Sequence, residues 1–180
     1  MPHIEDEQSV YKSGRFRVVR LRVDINGKKT EYDQVVMGEG IALVVLDRQE
    51  NVFMVREWRS TVNDYIVQIP GGYAGDEDEE VLAEAARREA REELGLVEIS
   101  SLKKLKSFMP VGGMRGKLHI FYIDNVDQDL SQDLESTEDV EVLKIPLDEA
   151  YRRFVLGDEL TTSATIIGLA LVVAMRHRDK

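Results

Sequence analysis

Two hydrophobic periods run along the chain, and the first is the alternation typical of a half-buried strand. Apolar residues occupy every second position from Val19 to Ile25, and charged residues fill the positions between them. The Asn26-Gly27 pair that follows is a strong signal for a two-residue hairpin turn, and we predict the return strand at residues 30–37. Because an isolated hairpin is only marginally stable in water, this one has to pack on the main domain or on a second subunit.

Apolar runs predict the remaining strands and two helices near the C-terminus. Strands are expected at residues 41–46, 52–57, 97–106 and 118–126. One helix is expected to begin at Pro146 and to end at Gly157, and another to occupy residues 161–178. The acids in the first turn of the former and the bases in the last turn of the latter suit the helix dipole.

The second period, of 3.6 residues, is clearest at residues 81–94, an uninterrupted run of good helix formers without Gly or Pro. Gly95 follows this run at the position where helices commonly end. Small apolar residues form one narrow stripe of the helix. On another face Glu89, Glu92 and Glu93 stand at i, i+3 and i+4, and at ~100° per residue they fall within an arc of roughly 100°.

These three carboxylates repel one another, which leaves two interpretations of the stripe. In the first, the helix is an ordinary surface helix, and arginines close in sequence pair with the glutamates. In the second, the carboxylates converge on a divalent cation, because Mg²⁺ prefers oxygen ligands and takes one or two direct carboxylates, with waters and substrate phosphates completing its shell. The adjacent Pro70-Gly71-Gly72 turn leaves backbone groups free to approach such a cation or a phosphate.

Composition and charge exclude several classes of protein. A chain of 180 residues with 43% hydrophobic content fits one globular domain, or one domain with a small appendage. The net charge of −10 argues against nucleic acid or an anionic membrane as a partner. The absence of cysteine excludes disulfides and thiolate zinc sites. The acidic N-terminus does not resemble a targeting signal, and the longest apolar run, residues 166–175, is too short to span a bilayer, so we expect a cytoplasmic protein.

A motif at residues 88–96, with the sequence REAREELGL, favours the metal-binding interpretation. It resembles the core of the Nudix box, R-E-U-x-E-E-x-G-U, in which U is a bulky apolar residue, and Glu80 matches a further position of that box. Two departures are visible: Ala90 is smaller than a U residue, and Gly72 makes the loop before the helix two residues longer than standard. The sequence GDELTTSATIIGLAL near the end also resembles the ADP-ribose pyrophosphatase branch of this family, so the likeness covers roughly residues 15–178.

This resemblance implies an α/β fold in which a mixed sheet is sandwiched between helices and is preceded by a small antiparallel β subdomain. We place the N-terminal β subdomain at residues 1–37 and the Nudix hydrolase domain at residues 38–180. In the ADP-ribose pyrophosphatase branch the N-terminal subdomain is commonly exchanged between protomers. We therefore expect a homodimer.

The resemblance also implies a metal site and a catalytic base. Glu89, Glu92 and Glu93, together with the carbonyl oxygen of Gly71, are expected to hold Mg²⁺, with Mn²⁺ as the alternative ion. Arg88 is expected to orient these carboxylates through an ion pair without being a ligand. For the base, this branch uses a glutamate in a loop that corresponds here to the acidic residues 127–139, and Glu138 is the first choice, with Glu135 as the second.

Two stretches before the helix resemble substrate-binding patterns of the same branch. Arg56-Glu57-Trp58-Arg59 resembles R-Q-Y-R, and the sequence QIPGG that begins at Gln68 resembles E-x-P-A-G. Arg56 and Arg59 are candidates for contacts with a diphosphate, and Trp58 for stacking on a base or sugar. Gln68 stands where an acidic residue usually helps to recognise the substrate.

The expected function is therefore the hydrolysis of ADP-ribose to AMP and ribose 5-phosphate. Within the same class, the substrate is alternatively a nucleotide sugar or another dinucleotide, which Gln68 and the altered loop at residues 112–117 leave open. From a different class, the alternative is a Nudix-like module that senses a nucleotide without cleaving it. Such modules typically lose carboxylates of the box, and all three are present here.

Overall fold

Two β-sheets and three helices make up the part of the chain that the structure describes. The computed structural model describes residues 1–75, 79–126 and 140–178. Within these residues the strands are β1 (His3–Lys12), β2 (Phe16–Ile25), β3 (Lys28–Met37), β4 (Glu39–Asp47), β5 (Asn51–Arg59), β6 (Asp64–Gln68), β7 (Tyr73–Gly75), β8 (Lys103–Phe108), β9 (Met114–Arg115), β10 (Leu118–Val126) and β11 (Val140–Pro146). The helices are α1 (Glu79–Leu94), α2 (Leu147–Tyr151), which continues into a π-helical turn at Arg152–Leu156, and α3 (Ser163–Arg178).

The smaller sheet has the strand order β1-β2-β3-β9 and contains the predicted N-terminal hairpin. Asn26 and Gly27 have φ angles of 55° and 84°, which is the left-handed conformation that a tight two-residue hairpin turn requires. The sequence pattern does not reveal β1, because all ten residues of this strand are exposed and no apolar alternation marks a buried face. The boundary between residues 37 and 38 that separates two domains stays a prediction.

The larger sheet lies between helices, as the α/β prediction requires. Its strand order is β11-β5-β4-β10-β8, with β6 paired to β5 and β7 paired to β4, and the neighbouring strands β4 and β10 run parallel. One face packs against α1 through a core that includes Leu43, Val55, Ala86, Ala90, Leu94 and Phe121. The opposite face packs against α2 and α3 through a core that includes Val44, Met54, Ile120, Phe154, Leu169 and Val172.

Most differences between the predicted and observed elements lie at their ends. β5 extends to Arg59, α1 begins at Glu79, and β8 begins at Lys103 because residues 97–102 form an irregular connection. The short strands β6 and β7 are not evident in the sequence pattern, since each adds to an existing strand rather than forming a buried run of its own. Among the described residues, no helix has the length and apolar character needed to cross a membrane.

A buried carboxylate organises the turn between β4 and β5. Asp47 is 2% exposed, and its oxygens accept hydrogen bonds from the backbone N–H groups of Gln49 and Asn51 at 2.9 and 2.8 Å, and from the Asn51 side chain at 2.9 Å. Lys144 of β11 places its Nζ 2.6 Å from Oδ2. Burial opposes ionisation of Asp47, but these donors outweigh it and lower the pKa of the carboxyl from 3.8 to about 2.

Replacing Asp47 by Asn should therefore lower the free energy of unfolding near neutral pH by about 2 kcal/mol, because each unit of pKa shift is worth ~1.4 kcal/mol. The folded-state pKa lies below the unfolded value of 3.8, so the stabilisation is present above that value and is lost as the pH falls toward about 2. Urea unfolding of both proteins over this range tests the sign. The two stabilities should converge in acid, and a constant difference would contradict the assignment.

Candidate active site

The glycine turn that follows β6 is hydrogen bonded to β4 at both ends. The N–H of Leu43 donates to the carbonyl oxygen of Pro70 at 2.8 Å, and the N–H of Ile41 donates to the carbonyl oxygen of Gly72 at 2.9 Å. The carbonyl oxygen of Gly71, between these two, accepts no hydrogen bond from the part of the chain that the structure describes. It therefore remains available as an oxygen ligand.

Close packing against two neighbours explains why both residues of this turn are glycines. A Cβ atom on Gly71 would overlap the carbonyl oxygen of Ile41, and a Cβ atom on Gly72 would overlap the carboxylate of Glu89. Ala90, which stands where the Nudix box has a bulky residue, is fully buried in the core beneath α1. The turn thus lies directly against the helix that carries the glutamates.

Two of the three glutamates are buried beside this turn. Glu89 and Glu93 are 8% and 7% exposed, whereas the side chain of Glu92 is 39% exposed. The N–H of Gly71 donates to Oε2 of Glu93 at 3.0 Å. Because burial disfavours the charged form of a carboxylate, these two negative charges have to be balanced by donors or cations close by.

Arg88 supplies part of that balance. Its guanidinium donates to Oε1 of Glu89 and to Oε2 of Glu92, both at 2.6 Å, and also to the carbonyl oxygen of Tyr73 at 3.2 Å. Partial burial opposes the charge of Arg88, but the two carboxylates outweigh this effect and raise the pKa of the guanidinium. Arg88 thereby fixes the orientation of two of the three glutamates.

The oxygen atoms at this site fit a hard divalent cation. The carboxylates of Glu89 and Glu93 lie against the turn that carries the Gly71 carbonyl, and Mg²⁺ needs only one or two direct carboxylates. The described residues contain no group of three or more acidic, histidine or cysteine side chains already arranged around one point, and Glu92 is turned toward Arg88. Glu89 and Glu93 are thus the carboxylates best placed for direct ligation.

A cavity of about 400 Å³ opens beside the turn and is lined by residues of both sheets and of the start of α3. Among the described residues, its lining contains no aspartate or glutamate, although the whole chain carries a net charge of −10. Three cationic side chains line it instead: Arg15, Arg59 and Lys117. The local charge is therefore opposite to that of the chain as a whole and suits an anionic ligand.

The start of α3 and the residue before it add polar side chains to the same cavity. Thr162 and Ser163 line it, and Oγ1 of Thr162 accepts a hydrogen bond from the N–H of Thr165 at 3.3 Å. Oγ1 of Thr165 in turn accepts a hydrogen bond from the N–H of Ile69 at 3.1 Å, which fixes the start of the helix next to the glycine turn. The N-terminus of a helix carries partial positive charge and favours anions.

The structure separates the four predicted substrate contacts into two groups. Arg59 and Gln68 line the cavity, whereas Arg56 and Trp58 do not. The guanidinium of Arg56 lies 4.0 Å from the centre of the Tyr65 ring, and Trp58 is 46% exposed. The reason is strand alternation: because β5 extends to Arg59, positions 56 and 58 share one face of the strand, and positions 57 and 59 share the other.

Three cavity residues were not among the predicted substrate contacts, although two of them lie in stretches considered above: Arg15, Lys117 and Thr162. They come from a turn of the N-terminal sheet, a glycine-rich loop and the start of a helix, and no periodicity links positions so far apart in the chain. The predicted base Glu138 and its alternative Glu135 lie outside the described residues.

Comparisons with known proteins identify the family of this chain. A family model described as the NUDIX domain matches residues 37–163. A protein of Bacillus methanolicus named as a methanol dehydrogenase activator is 27% identical over 172 residues, which is 90% of this chain and 90% of the relative. The ADP-ribose pyrophosphatase of Bacillus subtilis strain 168 is 27% identical over 131 residues, which is 71% of this chain and 68% of the relative.

A solved structure has the same fold. The crystal structure of an ADP compounds hydrolase superposes with a TM-score of 0.78 at 17% sequence identity, and the match covers 99% of this chain and 95% of that one. The family match by itself extends over more than half of the chain. The chain therefore belongs to the Nudix family of hydrolases.

Proposed function

We propose that the protein catalyses the divalent-metal-dependent hydrolysis of the diphosphate bond in a nucleoside diphosphate linked to another group, with ADP-ribose as the first choice. The products would be AMP and ribose 5-phosphate. The proposal rests chiefly on the two buried carboxylates, Glu89 and Glu93, set against the Gly71-Gly72 turn beside a cationic cavity. The name of the Bacillus subtilis relative, an ADP-ribose pyrophosphatase, supports the choice of substrate.

Glu89, Glu92 and Glu93, with the carbonyl oxygen of Gly71, would hold Mg²⁺, or Mn²⁺ in its place. When bound, such a cation offsets phosphate charge and lowers the pKa of the attacking water. Arg88 keeps Glu89 and Glu92 oriented through its two short hydrogen bonds. The glycine turn provides both the ligand carbonyl and the N–H that holds Glu93, so one short segment positions two of the donors.

The cavity would hold the part of the substrate next to the diphosphate. Arg59 enters it from β5 and Lys117 from the loop before β10, and both suit phosphate oxygens. Arg15, which lies in the turn between β1 and β2, lines the same cavity. The N-terminal turn of α3 supports the same sign of ligand charge.

A nucleotide sugar or another dinucleotide is the second candidate within this class. Gln68 favours it, because a neutral amide stands where the ADP-ribose pyrophosphatase pattern has an acid. The name of the Bacillus methanolicus relative does not indicate which group is linked to the nucleoside diphosphate, since that protein is named for an effect on a dehydrogenase and not for a substrate. A sensing module without activity is disfavoured, because all three box glutamates are retained.

A screen of ADP-ribose, nucleotide sugars and dinucleotides with Mg²⁺ or Mn²⁺, with identification of the products, tests this function. ADP-ribose should give AMP and ribose 5-phosphate with the highest kcat/KM, and a chelator should abolish turnover. Glu93→Gln keeps the size of the side chain and removes its charge, so turnover should fall by orders of magnitude. Its thermal stability without metal should hold or rise, because repulsion between buried carboxylates is relieved.

Glu84→Gln is the matched control for that variant. Glu84 lies on the same helix, is exposed, and pairs with Arg87 at 3.2 Å. Its replacement should leave both turnover and substrate preference unchanged. Near-normal turnover of the Glu93 variant, or cleavage that persists in excess chelator, would contradict the proposed metal site.

We also propose that the protein acts as a homodimer. All ten residues of β1 are exposed, and the apolar residues Ile4, Val10 and Tyr11 of this strand are each more than half exposed. Trp58 adds an exposed aromatic side chain on the face of β5 that does not line the cavity. Exposed apolar side chains of this kind suit burial against a second copy of the chain.

Sedimentation equilibrium of the full-length protein at micromolar concentration measures this directly. The expected mass is twice the 20.5 kDa of the chain. Deletion of residues 10–37 should give a monomeric or insoluble protein with little activity, because the hairpin is removed together with Arg15. A full-length protein that sediments as a monomer would refute the proposal.

Glu138 is proposed as the catalytic base that accepts the proton of the attacking water. The described part of the chain resumes at Val140, which pairs with Glu57 of β5 and is buried in the core beneath α1. Carboxylates that bind metal are poor bases, because their lone pairs are already engaged. The candidates are therefore glutamates other than the three of the box.

Glu138→Gln should lower kcat by ~10²-fold or more with little change in KM, because a positioned base typically contributes ~10²–10⁴-fold. Glu135→Gln is the comparison and should have a much smaller effect. Steady-state kinetics with the preferred substrate distinguish the two variants. If both stay within a few-fold of the parent, metal activation of water suffices, and if the order is reversed, Glu135 is the base.

A further inference from the structure

Three polar side chains next to the glycine turn form a connected group on one face of β5 and β6. Glu57 and Arg59 lie on β5, and Gln68 is the last residue of β6. The carboxylate of Glu57 accepts a hydrogen bond from Nε2 of Gln68 at 2.9 Å, and the same oxygen lies 3.0 Å from Nη2 of Arg59. Glu57 thus connects the two residues of this group that line the cavity.

The hydrogen bond to Glu57 determines which way the Gln68 amide faces. An ionised carboxylate only accepts hydrogen bonds, so the amide has to direct its NH₂ group toward Glu57. The amide carbonyl, Oε1, then faces away from Glu57. A glutamate at position 68 could not form this contact in its charged form, because two carboxylates would face each other.

The carbonyl oxygen of Gln68 receives no hydrogen bond from the part of the chain that the structure describes. Gln68 is 3% exposed, and its Oε1 is one of two buried side-chain polar atoms without a partner among the described residues. A buried acceptor without a donor destabilises the folded protein, so such an atom calls for an explanation. Gln68 lines the cavity and lies three residues before Gly71, whose N–H binds Glu93. A donor that arrives with a ligand would supply the missing bond.

We infer that Glu57 is a positioning residue that turns the Gln68 amide so that its carbonyl accepts a hydrogen bond from a neutral donor on the ligand. This inference rests on the proposed function and narrows its substrate class. The substrate then carries a hydroxyl or amino group that donates a hydrogen bond to the neutral carbonyl of Gln68. A sugar hydroxyl and a nucleobase amine are the two sources of such a donor.

The sequence patterns quoted above fit this assignment. Against R-Q-Y-R and E-x-P-A-G, glutamine and glutamate have exchanged places in this chain, at positions 57 and 68. The structure shows that these two side chains are hydrogen bonded to each other. The exchange keeps one negative charge and one hydrogen bond in the pair, while a neutral amide replaces a carboxylate at position 68.

A double-mutant cycle tests the positioning role. Glu57→Gln leaves Arg59 without this carboxylate and lets the Gln68 amide adopt either orientation, while Gln68→Glu places two carboxylates together. Each single variant should therefore lower both the melting temperature and kcat/KM. The double variant Glu57→Gln/Gln68→Glu should recover the melting temperature toward the parent value, because it restores the hydrogen bond with the roles reversed. Additive losses in the double variant would overturn the coupling.

The specificity role needs a readout that folding alone does not change. Gln68→Met keeps the length of the side chain and removes the acceptor. Its kcat/KM for ADP-ribose should fall roughly 10-fold, the scale of one hydrogen bond in a binding site. Two analogues are compared, the inosine counterpart of ADP-ribose and a deoxyribose counterpart, and one of them lacks the donor. On that analogue the kcat/KM of Gln68→Met should equal that of the parent, and the analogue that behaves in this way identifies the source of the donor.

Asp33→Asn is the matched control for these variants. Asp33 pairs with Arg20 at 2.8 Å on the N-terminal sheet, so the change also removes a carboxylate from a strand arginine but does so away from the cavity. Its ratio of kcat/KM between ADP-ribose and each analogue should equal that of the parent.

Two outcomes separate this inference from the proposed function. If the parent hydrolyses ADP-ribose and Gln68→Met lowers kcat/KM equally for every analogue, or for none, the acceptor role of Gln68 is wrong while the function stands. If the parent hydrolyses none of the compounds, the proposed function is wrong, and the substrate class inferred for Gln68 is wrong with it. In that case the melting temperatures of the double-mutant cycle still show whether Glu57 orients the side-chain amide of Gln68.

Discussion

Burial of negative charge beside a glycine turn is the constraint on which the site depends. Glu89 and Glu93 lose most of their contact with water, and no such pair is stable in its ionised form without compensation. Arg88 and the N–H of Gly71 provide part of it, and the carbonyl of Gly71, which accepts no hydrogen bond from the described residues, is a further oxygen of the same turn. A divalent cation would add positive charge beside these carboxylates, which favours the metal-binding interpretation of this helix face.

The larger sheet holds the glycine turn and the glutamate-bearing helix in fixed positions. β4 holds the glycine turn through backbone hydrogen bonds, and α1 packs on one face of the same strand, so turn and glutamates have a fixed distance between them. The start of α3 is attached to the turn through Thr165 and reaches the other side of the cavity. The cationic lining then places positive charge next to the carboxylates in a chain that is strongly acidic overall.

Much of this could be predicted from the sequence, and the limits have physical causes. The helix that carries Glu89, Glu92 and Glu93 follows from local composition, and its end at Gly95 is confirmed by a φ angle of 68°. The orientation of Arg56 and Trp58 away from the cavity could not be predicted from the sequence, because it depends on where β5 ends. The ends of strands leave little trace in the pattern of apolar residues. β1 was missed because a strand without a buried face has no hydrophobic period. Arg15 and Lys117 meet only through tertiary structure, which single-sequence patterns do not encode.

Anomalous diffraction from crystals grown with Mn²⁺ and a non-hydrolysable ADP-ribose analogue is the most direct measurement of this arrangement. The ion should lie within direct coordination distance, ~2.0–2.3 Å, of carboxylate oxygens of Glu89 or Glu93 and of the carbonyl oxygen of Gly71. The diphosphate of the analogue should contact the same ion and extend into the cavity lined by Arg59 and Lys117. An ion bound elsewhere, or a diphosphate seated away from the Gly71-Gly72 turn, would contradict the site described for this chain.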